Sequence, residues 1–164
     1  MGNSKTPNGR VIFTAPIKAL SNERYLDLKA MGFDVGLETG DFKKNAGADV
    51  LCCTQEIYTR KYAHIPGQKV IIDEFHFIFN DPERARAYID GLRRTDPESD
   101  ILVMSATFGN PDKVRAYLEE MARREFTLFE TEKRATKLVF KQRGLRFGQI
   151  RDALVFAFSK KGVE

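Results

Sequence analysis

The sequence predicts an α/β fold, a parallel sheet covered by helices on both faces. Short, nearly continuous apolar runs alternate with longer amphipathic stretches, and the runs show no in-and-out alternation, as expected of strands buried on both sides. A second observation concerns where the runs stop. Thr14, Thr54, Asp73 and Ser105 each follow one, so one rim of the sheet collects the polar side chains. In parallel sheets that carboxyl rim is where ligands bind. Right-handed crossovers are expected throughout.

The first run, RVIFTAP, is a strand stopped by Pro16. IKALSNERYLDLKAMG reads as a helix closed by Gly32 at the C′ position. FDVGLETGD is a short strand or a turn, ADVLCCT a buried strand, and QEIYTRKY a short helix. QKVIID is the third clear strand. DPERARAYIDGLRR follows as a helix with Asp81 as N-cap and Pro82 at its first position. Its Ala85, Tyr88, Ile89 and Leu92 fall on one face. DILVMSAT is the fourth strand. NPDKVRAYLEEMARR repeats the start signal with Asn110 and Pro111, and Val114, Tyr117, Leu118 and Met121 form its apolar stripe. Beyond Arg124 the character changes: EFTLFE and KLVFKQRG read as extended segments, and RDALVFAFSKKGVE opens another buried strand.

The 164 residues suit one domain of common size. A net charge of +4 permits a polyanionic partner without requiring one. No apolar run approaches the roughly 18 residues of a membrane span, and the N-terminus shows no signal-peptide core, so no membrane partner is expected. Cys52 and Cys53 are adjacent, too few for a closed zinc site, and read as reduced thiols within a strand of a cytoplasmic protein. Motifs of serine hydrolases, thiol oxidoreductases, zinc proteases and dinucleotide-binding enzymes are absent.

The chemistry concentrates in VIIDEFHFIFND, residues 70–81. A carboxylate at a strand end suits Mg²⁺, a hard cation that takes oxygen ligands and keeps several waters. A second carboxylate beside it can orient or deprotonate an attacking water. By themselves, Asp73 and Glu74 equally suit a loop that caps the next helix, and His76 an ordinary core or surface histidine.

DEFH is not alone. TAPIKALSNERY, GLETGD, TQEIY, DEFH, SAT and VFAFSKK occur in this order over nearly the whole chain. Their order and spacing resemble the superfamily-two helicases, most closely the DExH-box, Ski-like branch. The resemblance implies an incomplete three-layer RecA-like sheet of the P-loop NTPase type. It places part of the first lobe at residues 1–125, an extended connection at 126–147 and the start of the second lobe at 148–164. By the same resemblance, Asp73 holds the Mg²⁺ of MgATP through water, and Glu74 activates the hydrolytic water. His76 links the phosphate site to Ser105 and Thr107 of the SAT segment. Thr14, Pro16 and Lys18, then Thr39, Gly40 and Asp41, then Thr54, Gln55 and Glu56, resemble the nucleic-acid track. Phe156, Ser159 and Lys160 resemble the opening strand of the second lobe. Read without the family, Lys18 also suits a solvated surface lysine, Thr14 and Thr54 suit helix or turn caps, and Phe156 suits the core.

ATP-dependent unwinding also needs a P-loop, G-x-x-x-x-G-K-[ST], between a strand and a helix. The sequence has only MGNSKTPNG: Gly2, Lys5 and Thr6 echo the motif's end, but Ser4 stands at its second glycine. The expectation is therefore a chain that is weakly active or inactive alone. It keeps the Mg²⁺ and water-activating side of an ATP site without the phosphate cradle. A truncated gene model, an expressed piece and a natural remnant all fit. In the family the P-loop strand lies beside the SAT strand, so ILVMS is expected as a bare apolar edge, open to the remainder of the helicase or to a second copy. The alternative function is a non-catalytic nucleic-acid-binding or self-associating module. The branch leans toward RNA but includes DNA-acting members.

Overall fold

A computed structural model describes residues 9–106 and 109–130, and the structural statements below concern these. Thr107 lies outside them, as do Gly2, Lys5 and Thr6, the segments KLVFKQRG and RDALVFAFSKKGVE, and with the latter Phe156, Ser159 and Lys160. The chain divides into two compact units, Met1–Phe129 and Glu130–Glu164, and every element described here belongs to the first.

Six strands form one sheet: β1 (Val11–Ala15), β2 (Val35–Glu38), β3 (Lys43–Lys44), β4 (Val50–Thr54), β5 (Lys69–Ile72) and β6 (Asp100–Val103). Their order is β3-β2-β4-β1-β5-β6. All neighbours run parallel except β2 and β3. The sequence left FDVGLETGD open between strand and turn. The structure makes its centre a fully buried strand, because β2 is flanked on both sides and covered by a helix.

The helices are α1 (Lys18–Ala30), α2 (Gln55–Ile57), α3 (Pro82–Arg94) and α4 (Pro111–Ala122). The expected terminators operate. At the end of α1 the N–H of Gly32 donates to the Lys29 carbonyl at 3.0 Å, and that of Phe33 to the Leu28 carbonyl at 3.2 Å. Gly32 sits at φ +90°, as a C′ residue in this paired closure does. Asp81 Oδ1 accepts from the N–H of Glu83 at 3.0 Å, and Asn110 Oδ1 from that of Lys113 at 3.1 Å, each ahead of a proline. The helix α2 does not stop at Ile57 but widens into a π-helical turn over Tyr58–Tyr62.

Alternate residues of the strands serve two cores. Ile12, Leu51, Cys53, Val70 and Ile72 pack against α2, α3 and α4, with Tyr58, Phe75, Tyr88 and Leu92 fully buried. On the other face Val35, Leu37 and Cys52 pack under Tyr25 of α1, with Phe13 and Leu28 at the margin. Both cysteines are free and buried. Burial pushes the Cys52 thiol up to about 12 and raises Cys53 as well, so both are unreactive packing groups.

Among the described residues β6 pairs only with β5, and Leu102 is about half exposed. A groove of about 610 Å³ runs along β6 and α4, with Leu128 and Phe129 on its wall. The segment EFTLFE, expected to be extended, forms no ladder. Its Phe126 N–H donates instead to the Glu119 carboxylate at 2.9 Å, a bond that ties it back to α4. No helix among the described residues is long and apolar enough to cross a membrane.

Candidate functional site

The carboxyl ends of β1, β4, β5 and β6 lie level because the strands run parallel and in register. The backbone carries that register past the last ladder pairs. The N–H of Asp73 donates to the Thr14 carbonyl at 3.1 Å, that of Met104 to Ile72 at 2.8 Å, and that of Phe75 to Met104 at 3.1 Å. So the DEFH and SAT segments, far apart in sequence, are stitched together.

Between them the chain turns at Glu74, whose φ of 54° and ψ of 42° lie in the left-handed region. A non-glycine residue there is strained, and such strain persists where its surroundings fix it. The turn leads into a short 3₁₀ helix, Phe75–Phe79. Asp73 Oδ1 accepts from the Glu74 N–H at 2.9 Å. His76 Nδ1 lies 3.2 Å from Glu74 Oε2 and 3.1 Å from Ser105 Oγ. Both oxygens thus face the same ring nitrogen, toward which a carboxylate can only accept and a serine hydroxyl can either donate or accept. Four expected residues, Asp73, Glu74, His76 and Ser105, therefore form one connected cluster.

A fifth member was not legible in the sequence. Arg24 of α1 donates to Asp73 Oδ2 at 3.3 Å across 49 positions, and its guanidinium lies 4.9 Å from the Phe13 ring centroid. No periodicity marks such a pairing. Among the described residues no group of three or more His, Cys, Asp or Glu residues is placed to hold a metal. The donor set at the rim, a carboxylate with four-fifths of its side chain covered and a second one beside it, fits Mg²⁺ of the kind held by one protein oxygen and otherwise by water and phosphate.

The expected nucleic-acid track divides. Pro16, Lys18, Gly40 and Thr54 line one cleft of about 540 Å³ at the rim, together with Glu56, Arg60 and Arg84. Lys18 Nζ pairs with Asp41 Oδ1 at 2.8 Å, both exposed, and this bond holds the Asp41 carboxyl below its usual range. Thr39 Oγ1 donates to the same Asp41 oxygen at 3.2 Å, but its side chain is buried and does not line the cleft. Thr14 and Gln55, expected on the track, are turned inward instead. Both are fully buried, and Thr14 Oγ1 donates to Gln55 Oε1 at 2.7 Å. The physical reason is that β1 and β4 are neighbours, so their ends meet beneath α2 and satisfy each other. Arg84 was missed by sequence reading. It donates to the Pro16 carbonyl and pairs with Asp81 at 3.3 Å, tying the start of α3 to the cleft wall.

A buried carboxylate lies beneath this rim. Burial alone would raise the Glu38 pKa, but hydrogen bonds from Lys61 and Tyr62 outweigh it and hold the group below its ordinary range. Tyr62 is in turn raised by burial and by that carboxylate, and the Arg10 guanidinium covers its ring at 5.5 Å.

The family model for DEAD/DEAH box helicases matches residues 1–114. The chain is 34% identical over 134 residues to Superkiller complex protein 2 of Mus musculus, and 34% identical over 134 residues to ATP-dependent RNA helicase mtr4 of Schizosaccharomyces pombe. Both matches cover 79% of the chain but only 11% and 12% of the relatives' own length. Among solved structures, S. cerevisiae Dbp5 bound to RNA and ADP BeF3 superposes with a TM-score of 0.58 at 22% identity, covering 79% of this chain and 36% of that one. That likeness concerns the fold and bears out the RecA-like α/β architecture.

Proposed function

The chain belongs to the DEAD/DEAH box helicase family, and from that premise we propose that it supplies the nucleic-acid cleft and the water-activating side of the ATP site of an ATP-dependent helicase or translocase. The observation that carries this reading is the cluster in which His76 Nδ1 lies against both Glu74 Oε2 and Ser105 Oγ, beside Asp73 and on the same sheet rim as the cleft.

Each residue's part follows from its position. Asp73 would hold Mg²⁺ through water, and the ion, when bound, neutralises charge on the triphosphate. Glu74 Oε2 is engaged by His76, so acceptance of a proton from the attacking water falls to Oε1. His76 fixes the Glu74 carboxylate and joins it to Ser105 at the end of β6, a route by which events at the nucleotide reach the strand ends. Pro16, Lys18, Gly40 and Thr54 face the nucleic-acid backbone.

A second reading, a nucleic-acid-binding module without turnover, is favoured by one feature: the cleft carries three cationic side chains, Lys18, Arg60 and Arg84, on its wall. One pair of measurements separates them. Nucleic-acid-stimulated phosphate release is assayed for this chain and for the same chain fused behind a strand and P-loop segment. The chain alone gives background. The fusion hydrolyses MgATP, and Glu74→Gln in the fusion lowers the rate by about 10²-fold or more, the scale of a lost general base. A fusion that binds MgATP no better than the chain alone refutes the catalytic reading. Retained binding of nucleic acid by the chain alone would then favour the module.

A further inference from the structure

If Asp73 holds Mg²⁺ through water, as just proposed and as the inference below requires, the ion approaches a carboxylate whose two oxygens are both engaged. Oδ1 accepts from the Glu74 N–H at 2.9 Å, and Oδ2 from Arg24 Nη2 at 3.3 Å. The first donor is a neutral backbone group. The second carries a full positive charge on a side chain.

Arg24 stands where packing alone calls for an apolar residue. Ser21 and Tyr25 of α1 are buried, and Leu28 packs at the margin of the core beneath that helix. Arg24 is three positions from Ser21 and four from Leu28, so it shares their side of α1. The guanidinium is held there twice, by Asp73 and by the Phe13 ring, whose centroid is 4.9 Å away in a cation–π contact. The two partners differ in exposure: the Asp73 side chain is 20% exposed and that of Arg24 41%. The carboxylate is largely cut off from water, while the arginine borders it.

A carboxylate so covered keeps its charge at low cost only beside a counter-charge. Arg24 supplies one from within the chain. The same charge works against any further cation, because a divalent ion that reaches Asp73 either takes the place of the guanidinium or is repelled by it from a few ångströms away. We propose that Arg24 is the resident counter-cation of Asp73, a positioning residue that steadies this carboxylate and competes with the metal for it, so that free divalent ions bind weakly. Its exposure lets Arg24 give way into solvent when a metal does bind.

The test is titration of the full chain with Mn²⁺, a spectroscopic stand-in for Mg²⁺, read by electron paramagnetic resonance. The unsubstituted chain is compared with Arg24→Gln, Asp73→Asn and the double variant, with urea unfolding run beside each. Arg24→Gln keeps a hydrogen-bond donor and removes the charge. It is expected to tighten Mn²⁺ binding about fivefold, the upper range for one partly exposed charge pair. That gain disappears in the double variant, which locates it at Asp73. The urea midpoint of Arg24→Gln falls without metal and partly recovers as Mn²⁺ is added, because the ion binds the folded chain. A role confined to tying α1 to the sheet gives the opposite pattern, a lower midpoint with Mn²⁺ affinity unchanged or weaker. That pattern overturns the proposal while leaving Asp73 as the metal holder, provided Asp73→Asn still weakens Mn²⁺ binding. A gain that survives in the double variant overturns it as well. No effect of Asp73→Asn on Mn²⁺ binding in either background refutes instead the assignment of the metal to Asp73.

Discussion

The buried hydrogen-bond chain under the cleft gives a sharp test through Gly91 of α3. Replacing a glycine within a helix by alanine ordinarily stabilises a protein by about 1 kcal/mol. At Gly91 the opposite is expected. A Cβ built there falls 2.6 Å from Gln55 Nε2 and 2.6 Å from Thr59 Oγ1. Those atoms are consecutive links in one chain. Thr14 Oγ1 donates to Gln55 Oε1 at 2.7 Å, Gln55 Nε2 to Thr59 Oγ1 at 3.4 Å, and Thr59 Oγ1 to the Ala87 carbonyl at 2.7 Å. Relieving the contact moves both atoms by most of an ångström. Overpacking of this kind costs about 1–3 kcal/mol. Leaving a buried polar group without its partner costs about 1–3 kcal/mol more. Set against the helix gain, Gly91→Ala should destabilise the chain by roughly 1–5 kcal/mol. Urea unfolding followed by far-UV circular dichroism reads this as a lower midpoint with an unchanged slope. Thr14→Val breaks the same chain at its other end, so the double variant should lose less than the sum of the two. A Gly91→Ala midpoint equal to or above that of the parent would refute the reasoning.

Two further outcomes are expected. Glu38 is held below its ordinary value near 4.5, so the stability it contributes is present above that pH and lost as pH falls through the lower folded-state value. Glu38→Gln should therefore lower the urea midpoint at pH 7, and the gap to the parent should narrow on acidification below about pH 4.5; a constant gap from pH 7 to pH 3 would count against the depressed carboxylate. At Glu74, whose φ is 54°, Glu74→Gly should be more stable than Glu74→Ala by about 1 kcal/mol, while both abolish phosphate release by the P-loop fusion. Equal urea midpoints for the two variants would show that this turn stores no strain.

How much of this was legible in advance depended on how far each interaction reaches. Asp81 with Pro82, Asn110 with Pro111, and Gly32 act within a few residues, and each helix begins or ends where they stand. The apolar runs placed β1, β4, β5 and β6, and the polar residues after them marked the rim. Legibility failed where a contact spans the chain. Nothing local says that Thr14 closes on Gln55, or that Arg24 reaches Asp73, or that Arg84 holds the Pro16 carbonyl. FDVGLETGD carries too short an apolar run to show that it is an interior strand, a status conferred by its neighbours β3 and β4.

The sequence by itself determined the alternation of strand and helix, the helix caps, and the placing of Asp73, Glu74, His76 and Ser105 at strand ends, since periodicity and capping are properties of neighbouring residues. Tertiary structure alone decided the strand order, the burial of Thr14 and Gln55, and the meeting of Glu74 and Ser105 at one histidine nitrogen. The reason is that hydrogen-bond partners are chosen by distance in space, which the order of residues along the chain does not encode.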